Sequence, residues 1–380
     1  MAKKKRGLKP STETALRKKY AGTGLAEDVL SDNNLWIPSR FLALNDQWGG
    51  GAHYGKIHEI FGEESSGKSL SALDFAYCTQ KLGGIVLWAD SEYAFTKDWA
   101  RQNGLELDKV ELFQEKAIEV ISDWSVDMAI HYRSKLTKNE PILLVVDSIA
   151  ALSCIANLNG YQQDEKAEMG NRAKAIDAWL RTRNGIYEEL GITVLLINQL
   201  RAKIGASLFE DPDTTPGGRA TRFYASIRVG FYGGKQITAK VDGSEERVGR
   251  VTSIRIKKNK VAPPKPTIKG AEVYFHPDYK EPIGFNKYFS LPEILQHKGV
   301  ISRKKGSSRY MMGEEVIANG ELAFLKKLKT DSAFRKMLIE KADINTINRT
   351  KAQLKSIKEN LYPVNLSEVN KQSENEDEEE

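Results

Sequence analysis

Eight consecutive residues, Gly62-Glu63-Glu64-Ser65-Ser66-Gly67-Lys68-Ser69, constrain this chain more than any other stretch. They match the G-x-x-x-x-G-K-[ST] pattern of a phosphate-binding loop. The flanks fit too. Ile57 to Phe61 is a short apolar run that predicts a strand entering the loop. Leu70, Leu73, Ala76 and Tyr77 recur at helical spacing, and Gly83-Gly84 stops that helix. Gly62 and Gly67 let the backbone curl so that successive N–H groups converge on an anion. The following helix adds the positive end of its dipole. In such a loop Lys68 neutralises the β and γ phosphates and Ser69 ligates Mg²⁺, so the expected ligand is ATP with Mg²⁺.

At 380 residues the chain is long enough for two or more domains. Its 40% hydrophobic and 28% charged content suits a globular protein, and no apolar run reaches membrane-spanning length. Met1-Ala2-Lys3-Lys4-Lys5-Arg6 has no apolar segment behind it, so no secretory signal is expected. Cys78 and Cys154 form no metal spacing and no disulfide framework. Both read as packing residues in a reducing, cytoplasmic setting. The net charge of +6 is unevenly spread: six of the last seven residues are acidic, and without them the rest of the chain carries +12. A basic body of that size suits a polyanion such as nucleic acid, or solubility alone.

Residues 1–36 read as a basic N-terminal arm or oligomerisation module. From Ile37 strands and helices alternate. Lys56–Phe61, Ile85–Ala89, Ile142–Val146 and Ile192–Ile197 are apolar strands with helix-length spacers, which predicts an α/β core with a mostly parallel sheet covered on both faces. Phe223–Phe231, Val251–Ile256 and Ala271–Phe275 lack such spacers and predict an antiparallel extension. This core spans residues 37–277. Residues 278–345 mix short helices with basic residues and read as a small, duplex-binding C-terminal domain. Residues 346–380 read as a disordered acidic tail.

Three strands end in groups that can do chemistry. Ile142 to Val146 leads into Asp147, the expected Mg²⁺-side carboxylate. Ile85 to Ala89 leads into Asp90 and, two residues on, Glu92. On the same edge as the glycine loop, Glu92 can activate a water, with Asp90 in support; alternatively either carboxylate caps the next helix. Ile192 to Ile197 leads into Asn198 and Gln199, and an amide there can sense a γ-phosphate. After it runs a long aperiodic loop with Arg201, Lys203, Ile204, Gly217, Gly218 and Arg219. Basic residues interleaved with apolar ones suit contact with a single DNA strand. A second loop, from Cys154 to about Gly170, follows a strand on the same edge.

Together and in order, these segments resemble the RecA recombinase family. The resemblance rests on Gly62–Ser69, Trp88-Ala-Asp-Ser-Glu92, Leu144-Val-Val-Asp-Ser-Ile-Ala-Ala-Leu152, Ile197-Asn-Gln-Leu-Arg-Ala-Lys-Ile-Gly205, Thr214-Thr-Pro-Gly-Gly218 and Arg222-Phe-Tyr-Ala-Ser226. It runs from about Ile37 to Arg228 and more weakly to about Leu338. It implies a DNA-dependent ATPase that forms helical filaments on single-stranded DNA, pairs them with double-stranded DNA and exchanges strands, with ssDNA-binding and mediator proteins as further expected partners. It implies Glu92 as the water activator and Gln199 as the switch to the DNA loops. Met169, Lys174, Arg181, Arg201, Lys203, Ile204, Gly217, Gly218 and Arg219 fall in or beside those loops. Trp99 stands where the family stacks a ring on adenine. Lys258 and Lys260 match lysines that reach a neighbouring subunit's ATP, and Pro264 lies where the family packs on that adenine. Thr96 replaces the usual aspartate near adenine, and the arm before Ile37 shows little likeness. The rival readings are a hexameric helicase on the same core and a regulator that binds ATP without turnover. The Gly217-Gly218 loop opposes the first and Glu92 the second.

Overall fold

The computed structural model describes residues 35–137, 139–160, 165–202, 213–263, 265–304 and 306–356. The described residues from Trp36 onward form one compact unit. Its strands are β1 (Trp36–Ile37), β2 (Ala52–His53), β3 (Ile57–Gly62), β4 (Ile85–Asp90), β5 (Val110–Phe113), β6 (Ile142–Asp147), β7 (Ile192–Gln199), β8 (Arg201–Ala202), β9 (Asp213–Thr214), β10 (Ile227–Val241), β11 (Ser244–Asn259), β12 (Ile268–Tyr274), β13 (Gly284–Phe285), β14 (Ser302–Arg303), β15 (Arg309–Met312) and β16 (Glu315–Asn319). Nine of them make one sheet in the order β13-β12-β11-β10-β3-β7-β6-β4-β5. From β10 to β5 every neighbouring pair is parallel; β10 to β13 are antiparallel. The α/β core and its antiparallel extension are therefore as the sequence predicts.

Alternation along the parallel strands divides the core in two. Val86 and Trp88, Leu143 and Val145, and Leu195 and Ile197 pack on one face with helices Leu42–Trp48 and Lys68–Lys81. Leu87 and Ala89, Leu144 and Val146, and Val194 and Leu196 pack on the other with helices Ile118–Arg133 and Glu165–Glu189. Strands buried on both faces have no polar side to show, which is why they read as unbroken apolar runs. A third core joins Leu42 to Leu291, Leu295, Tyr310, Phe324 and Leu338, under the small sheet β14-β15-β16. Both cysteines are buried and free. No helix among the described residues is long and apolar enough to cross a membrane.

Some elements differ from the sequence expectation. Phe223 and Tyr224 end a short helix, Ala220–Tyr224, and the strand starts only at Ile227. β10 and β11 run far past the expected limits to form a hairpin that turns at Asp242-Gly243. Both turn residues have positive φ, 49° and 88°. That is the geometry for which an Asp-Gly pair is selected. Val110–Phe113 is an unexpected edge strand. The first eleven residues of the expected disordered tail, from 346, are not disordered: Ile347–Ser356 is a helix. Thr346 Oγ1 accepts from Arg349 N at 3.2 Å, and Asn345 Nδ2 donates to Gly50 O at 2.7 Å. A cap and a tether to the core hold a helix whose composition is polar. Residues 357–380 and 1–34 lie outside the described residues.

His58 is the second residue of β3, fully buried against the Trp48 ring, with Nε2 at 3.2 Å from His53 O. Burial depresses its pKa to about 3. Because the unfolded imidazole takes its proton near pH 6.5, the neutral buried ring stabilises the fold fully above that pH. The contribution shrinks as pH falls from 6.5 towards 3, by about 1.4 kcal/mol per unit. His58→Leu should therefore flatten the loss of stability between pH 6.5 and 5, measured by urea denaturation at each pH. An unchanged slope would place the sensitivity elsewhere.

Candidate nucleotide and DNA site

β3, β4, β6 and β7 end at one edge of the sheet. Registers Gly62↔Gln199 and Asp90↔Asp147 bring the glycine loop, two carboxylates and an amide to the same level. Clefts at the carboxyl ends of parallel strands are where ligands bind in open α/β sheets. Gly62 has no room for a side chain: a Cβ there would lie 2.1 Å from Phe231 O. Gly67 adopts φ 97° at the N-cap of helix Lys68–Lys81. The loop is braced from behind. Ser66 Oγ donates to Glu63 O at 2.8 Å, Thr252 Oγ1 to Ser66 O at 3.0 Å, and an Arg250 guanidinium nitrogen to Glu64 O at 2.8 Å. Glu63, Glu64 and Ser65 stay exposed.

Lys68 folds back on its own loop, donating to Gly62 O (3.1 Å) and Glu63 O (2.6 Å). Burial lowers its pKa, and the charges of Asp147 and Glu92 oppose that shift. Asp147 moves the other way. Burial raises its carboxyl to about 6, while a hydrogen bond with Ser69 resists the rise. Ser69 hydroxyl and Asp147 carboxylate are hard oxygen donors side by side. Among the described residues no cluster of three or more His, Cys, Asp or Glu side chains could cage a metal. One carboxylate plus one hydroxyl suits Mg²⁺, which keeps its waters and takes phosphate oxygens rather than an all-protein cage.

Asp90 and Glu92 take separate tasks. Asp90 is buried and accepts from Ala94 N and Phe95 N, both at 3.0 Å, and from Gln114 Nε2 at 3.2 Å. It ties down the turn after β4, and its charge, after that of Glu92, helps raise the Asp147 carboxyl. Glu92 Oε1 accepts from Gln199 Nε2 at 3.2 Å and from the Ser148 hydroxyl. Ser148 is a site residue that sequence reasoning passed over; its position directly after Asp147 was the available signal. Trp99 is half-buried against the first core in the helix Lys97–Gln102, whose N-cap is Thr96, with Oγ1 accepting from Trp99 N at 3.4 Å. Position 96 thus supplies a capping hydroxyl to the helix that carries Trp99.

Behind Gln199 lies a buried polar network. Asn198 Nδ2 donates to Glu59 Oε1 (2.8 Å) and to Pro216 O (2.9 Å). The other Glu59 oxygen accepts from Arg228 Nε, and an Arg228 terminal nitrogen stands 3.5 Å from Thr215 Oγ1. Glu59 and Asn198 are fully buried. This network holds the returning end of the long loop. Gly217 and Gly218 have φ 94° and 67°. A Cβ on Gly217 would lie 3.3 Å from Ile149 and Ile176, and one on Gly218 3.4 Å from Ala173. Arg219 is exposed at the N-cap of the next helix. Lys203, Ile204 and Pro264 lie outside the described residues.

The other loop is shorter than expected, because helix Glu165–Glu189 begins at 165. Met169, Lys174 and Arg181 are therefore helical, and all three are exposed. Arg181 is carried about 18 Å along the helix from Met169, at 1.5 Å per residue. Arg172, which sequence reasoning missed, stands close enough to Arg201 for the repulsion to help lower its pKa, after burial. Lys258 and Lys260 sit at the opposite edge of the sheet: Arg228↔Lys258 is three residues before Phe231↔Gly62. Lys258 Nζ donates to Arg222 O (2.7 Å) and Phe223 O (2.9 Å). Burial first, then Lys260 and Arg228, lower it to about 8. Neither lysine reaches the glycine loop of its own chain.

Comparison with known proteins matches residues 28–276 to the RecA N-terminal domain. The chain is 34% identical over 287 residues to Protein RecA of Tropheryma whipplei, covering 75% of this chain and 60% of that one. It is 38% identical over 233 residues to Protein RecA of Bacteroides thetaiotaomicron, covering 60% and 65%. With Protein RecA of Rubrobacter xylanophilus the figures are 36% over 301 residues, 79% and 80%. The chain thus spans less than two thirds of the length of the first two relatives. The glycine loop, the carboxylate and amide strand ends, the double-glycine return and these matches lead to one assignment: this chain belongs to the RecA family.

Proposed function

We propose that the protein is an ATP- and Mg²⁺-dependent recombinase that assembles on single-stranded DNA, pairs it with duplex DNA and exchanges strands in recombination and repair. The observation that carries this reading is Glu92 Oε1 accepting from Gln199 Nε2. It puts the candidate water activator in contact with the residue that opens the candidate DNA loop. The relatives named RecA favour this over the ring-helicase reading. Domain boundaries follow the same reading: an arm at 1–36, the core at 37–277 and a duplex-binding segment at 278–345.

ATP with Mg²⁺ would supply a transferable phosphoryl group and the counter-charge for its leaving. The residues at hand would do the rest. Gly62 to Gly67 would present N–H groups to the phosphates, and Lys68 would turn from its two carbonyls towards them. Ser69 and Asp147 would hold the metal. Trp99 would border the base. Glu92, aimed by Ser148, would take the proton of an attacking water. Gln199 would exchange Glu92 for a phosphate oxygen, and Asn198 and Glu59 would pass that movement to Pro216, Thr215 and the loop with Gly217, Gly218 and Arg219. Arg201, Lys203, Ile204, Met169, Lys174 and Arg172 would track the single strand. Lys258, Lys260 and Pro264, remote from their own glycine loop, would complete the site of an adjacent subunit in a filament.

Glu92→Gln should bind ATP and lower DNA-stimulated phosphate release by about 10²- to 10⁴-fold, the usual worth of a general base. Filaments on single-stranded DNA should then persist in electron micrographs. Turnover close to the parent's would move the base elsewhere. Ser148→Ala, which removes one hydrogen bond to a charged group, should lower kcat about tenfold with KM little changed. A rise in KM at constant kcat would make Ser148 a binding residue instead.

A further inference from the structure

The stretch that carries Lys260 leaves the sheet. β11 ends at Asn259 and β12 begins only at Ile268. Between them run Lys260-Val261-Ala262-Pro263-Pro264-Lys265-Pro266-Thr267, and a proline has no N–H to give. Lys260, Val261, Pro263 and Pro266 are exposed. Exposed connections of this composition are ordinarily among the most mobile parts of a fold.

Here one short helix, Leu42–Trp48, holds the connection at both ends. Gln47 is buried; its Nε2 donates to Pro266 O, and its backbone O accepts from Asn259 Nδ2 at 3.1 Å. Asn259 Oδ1 accepts in turn from Val261 N (2.8 Å) and Ala262 N (2.9 Å), which fixes the turn out of β11. The Asp46 carboxylate lies 3.3 Å from Lys265 Nζ and 3.1 Å from Lys298 Nζ. Gly49 ends the helix at φ 79°, and a Cβ on it would lie 2.6 Å from the Ala262 methyl.

The anchor is rigid. Trp48 is fully buried and stacks on Phe75 at 5.2 Å, and Phe75 belongs to helix Lys68–Lys81, which starts at the phosphate loop. Lys298 is the C-cap of helix Leu291–His297. One helix thus joins the chain's own nucleotide edge, its C-terminal segment and the stretch after β11. Gln47 Oε1, meanwhile, is buried with no hydrogen-bond partner among the described residues. A half-satisfied buried amide is unfavourable, and an apolar side chain of similar length would fill the place without that cost. Two strands can be joined without such a restraint. A group that must meet another molecule at a set distance needs it.

We propose that Asp46, Gln47 and Asn259 are positioning residues of a nucleotide site shared between subunits: they hold the stretch after β11 where Lys258 and Lys260 meet the nucleotide of an adjacent copy. This deepens the filament reading above and rests on it.

Mixed filaments test it. Glu92→Gln subunits serve as carriers, with a silent site of their own and an unaltered Asp46, Gln47 and Asn259. On single-stranded DNA with saturating ATP, Asp46→Asn/Gln47→Met alone should release phosphate about tenfold more slowly than the parent, less than the 10²-fold that a misplacement of about 1 Å can cost. In a large excess of carrier, nearly every variant subunit has an unaltered neighbour. Its turnover should then return to that of the parent in the same mixture, once the carrier's slow release is subtracted. Lys265→Gln, which loses only its ion pair with Asp46, should show a smaller loss and the same rescue. It decides alone if urea denaturation finds the double variant unfolded. Parental turnover without carrier, or a loss that persists with it, would overturn the proposal, because a neighbour cannot cure a defect confined to the variant's own site. Lys260→Gln runs in parallel. If it loses nothing, or its loss is not rescued, the shared site itself fails; if it is rescued and the Asp46 and Gln47 variants are not, only their positioning role fails.

Discussion

A carboxylate with no access to water sits at the centre of this fold. Glu59 is fully buried on β3, three residues before the glycine loop begins. Such a charge costs several kcal/mol unless paired, and removing one partner of a buried pair costs about 3–5 kcal/mol. Here both oxygens are engaged, one by Asn198 on β7 and one by Arg228 on β10. The three strands are neighbours, so the network pins together the strand that feeds the phosphate loop, the strand that ends in Gln199 and the strand whose register partner carries Lys258. Asn198 also reaches Pro216, so the loop's return is held by the same charge. Gln199 N donates to Asn198 Oδ1 at 2.9 Å, so the strand end that carries Gln199 is tied to the same network.

The sheet also explains why one chain makes only part of the proposed nucleotide site. Parallel strands send their carboxyl ends to one edge, which collects Lys68, Ser69, Asp147, Glu92 and Gln199. β11 runs antiparallel to β10 and ends at Asn259 by Ile227, on the other edge. Lys258 and Lys260 therefore lie at the edge opposite their own glycine loop. A lysine lowered to about 8 by burial and two like charges is primed to gain from a phosphate brought by another copy. In the filament reading, that gain is the free energy linking nucleotide to polymer.

Much of this was legible because it is local. The glycine loop, the parallel strands and the carboxylate ends are short contiguous patterns, and their registers at Gly62↔Gln199 and Asp90↔Asp147 follow from strands of similar length. What stayed hidden depends on distance in sequence. Ser148 matters only because Glu92, 56 residues earlier, lies beside it. The helix Ile347–Ser356 has a polar composition, and Asn345 anchors it to Gly50 across 295 residues. Gln47 and Asn259 meet across 212 residues. The division of labour between Asp90 and Glu92 was open for a related reason: it depends on which backbone N–H groups the turn at Ala94 and Phe95 leaves free.

Lys68 and Asp147 carry the last step. Burial pushes the lysine down and the aspartate up, so each is drawn towards its neutral form in the unliganded cleft. Their mutual attraction opposes this without abolishing it. A polyphosphate beside the lysine and a dication beside the aspartate would restore both charges together. Neither would do so alone as well, because an added anion raises the aspartate further and an added cation lowers the lysine further. In the proposed function a cleft with this pair of shifts would take up the anion and the cation together.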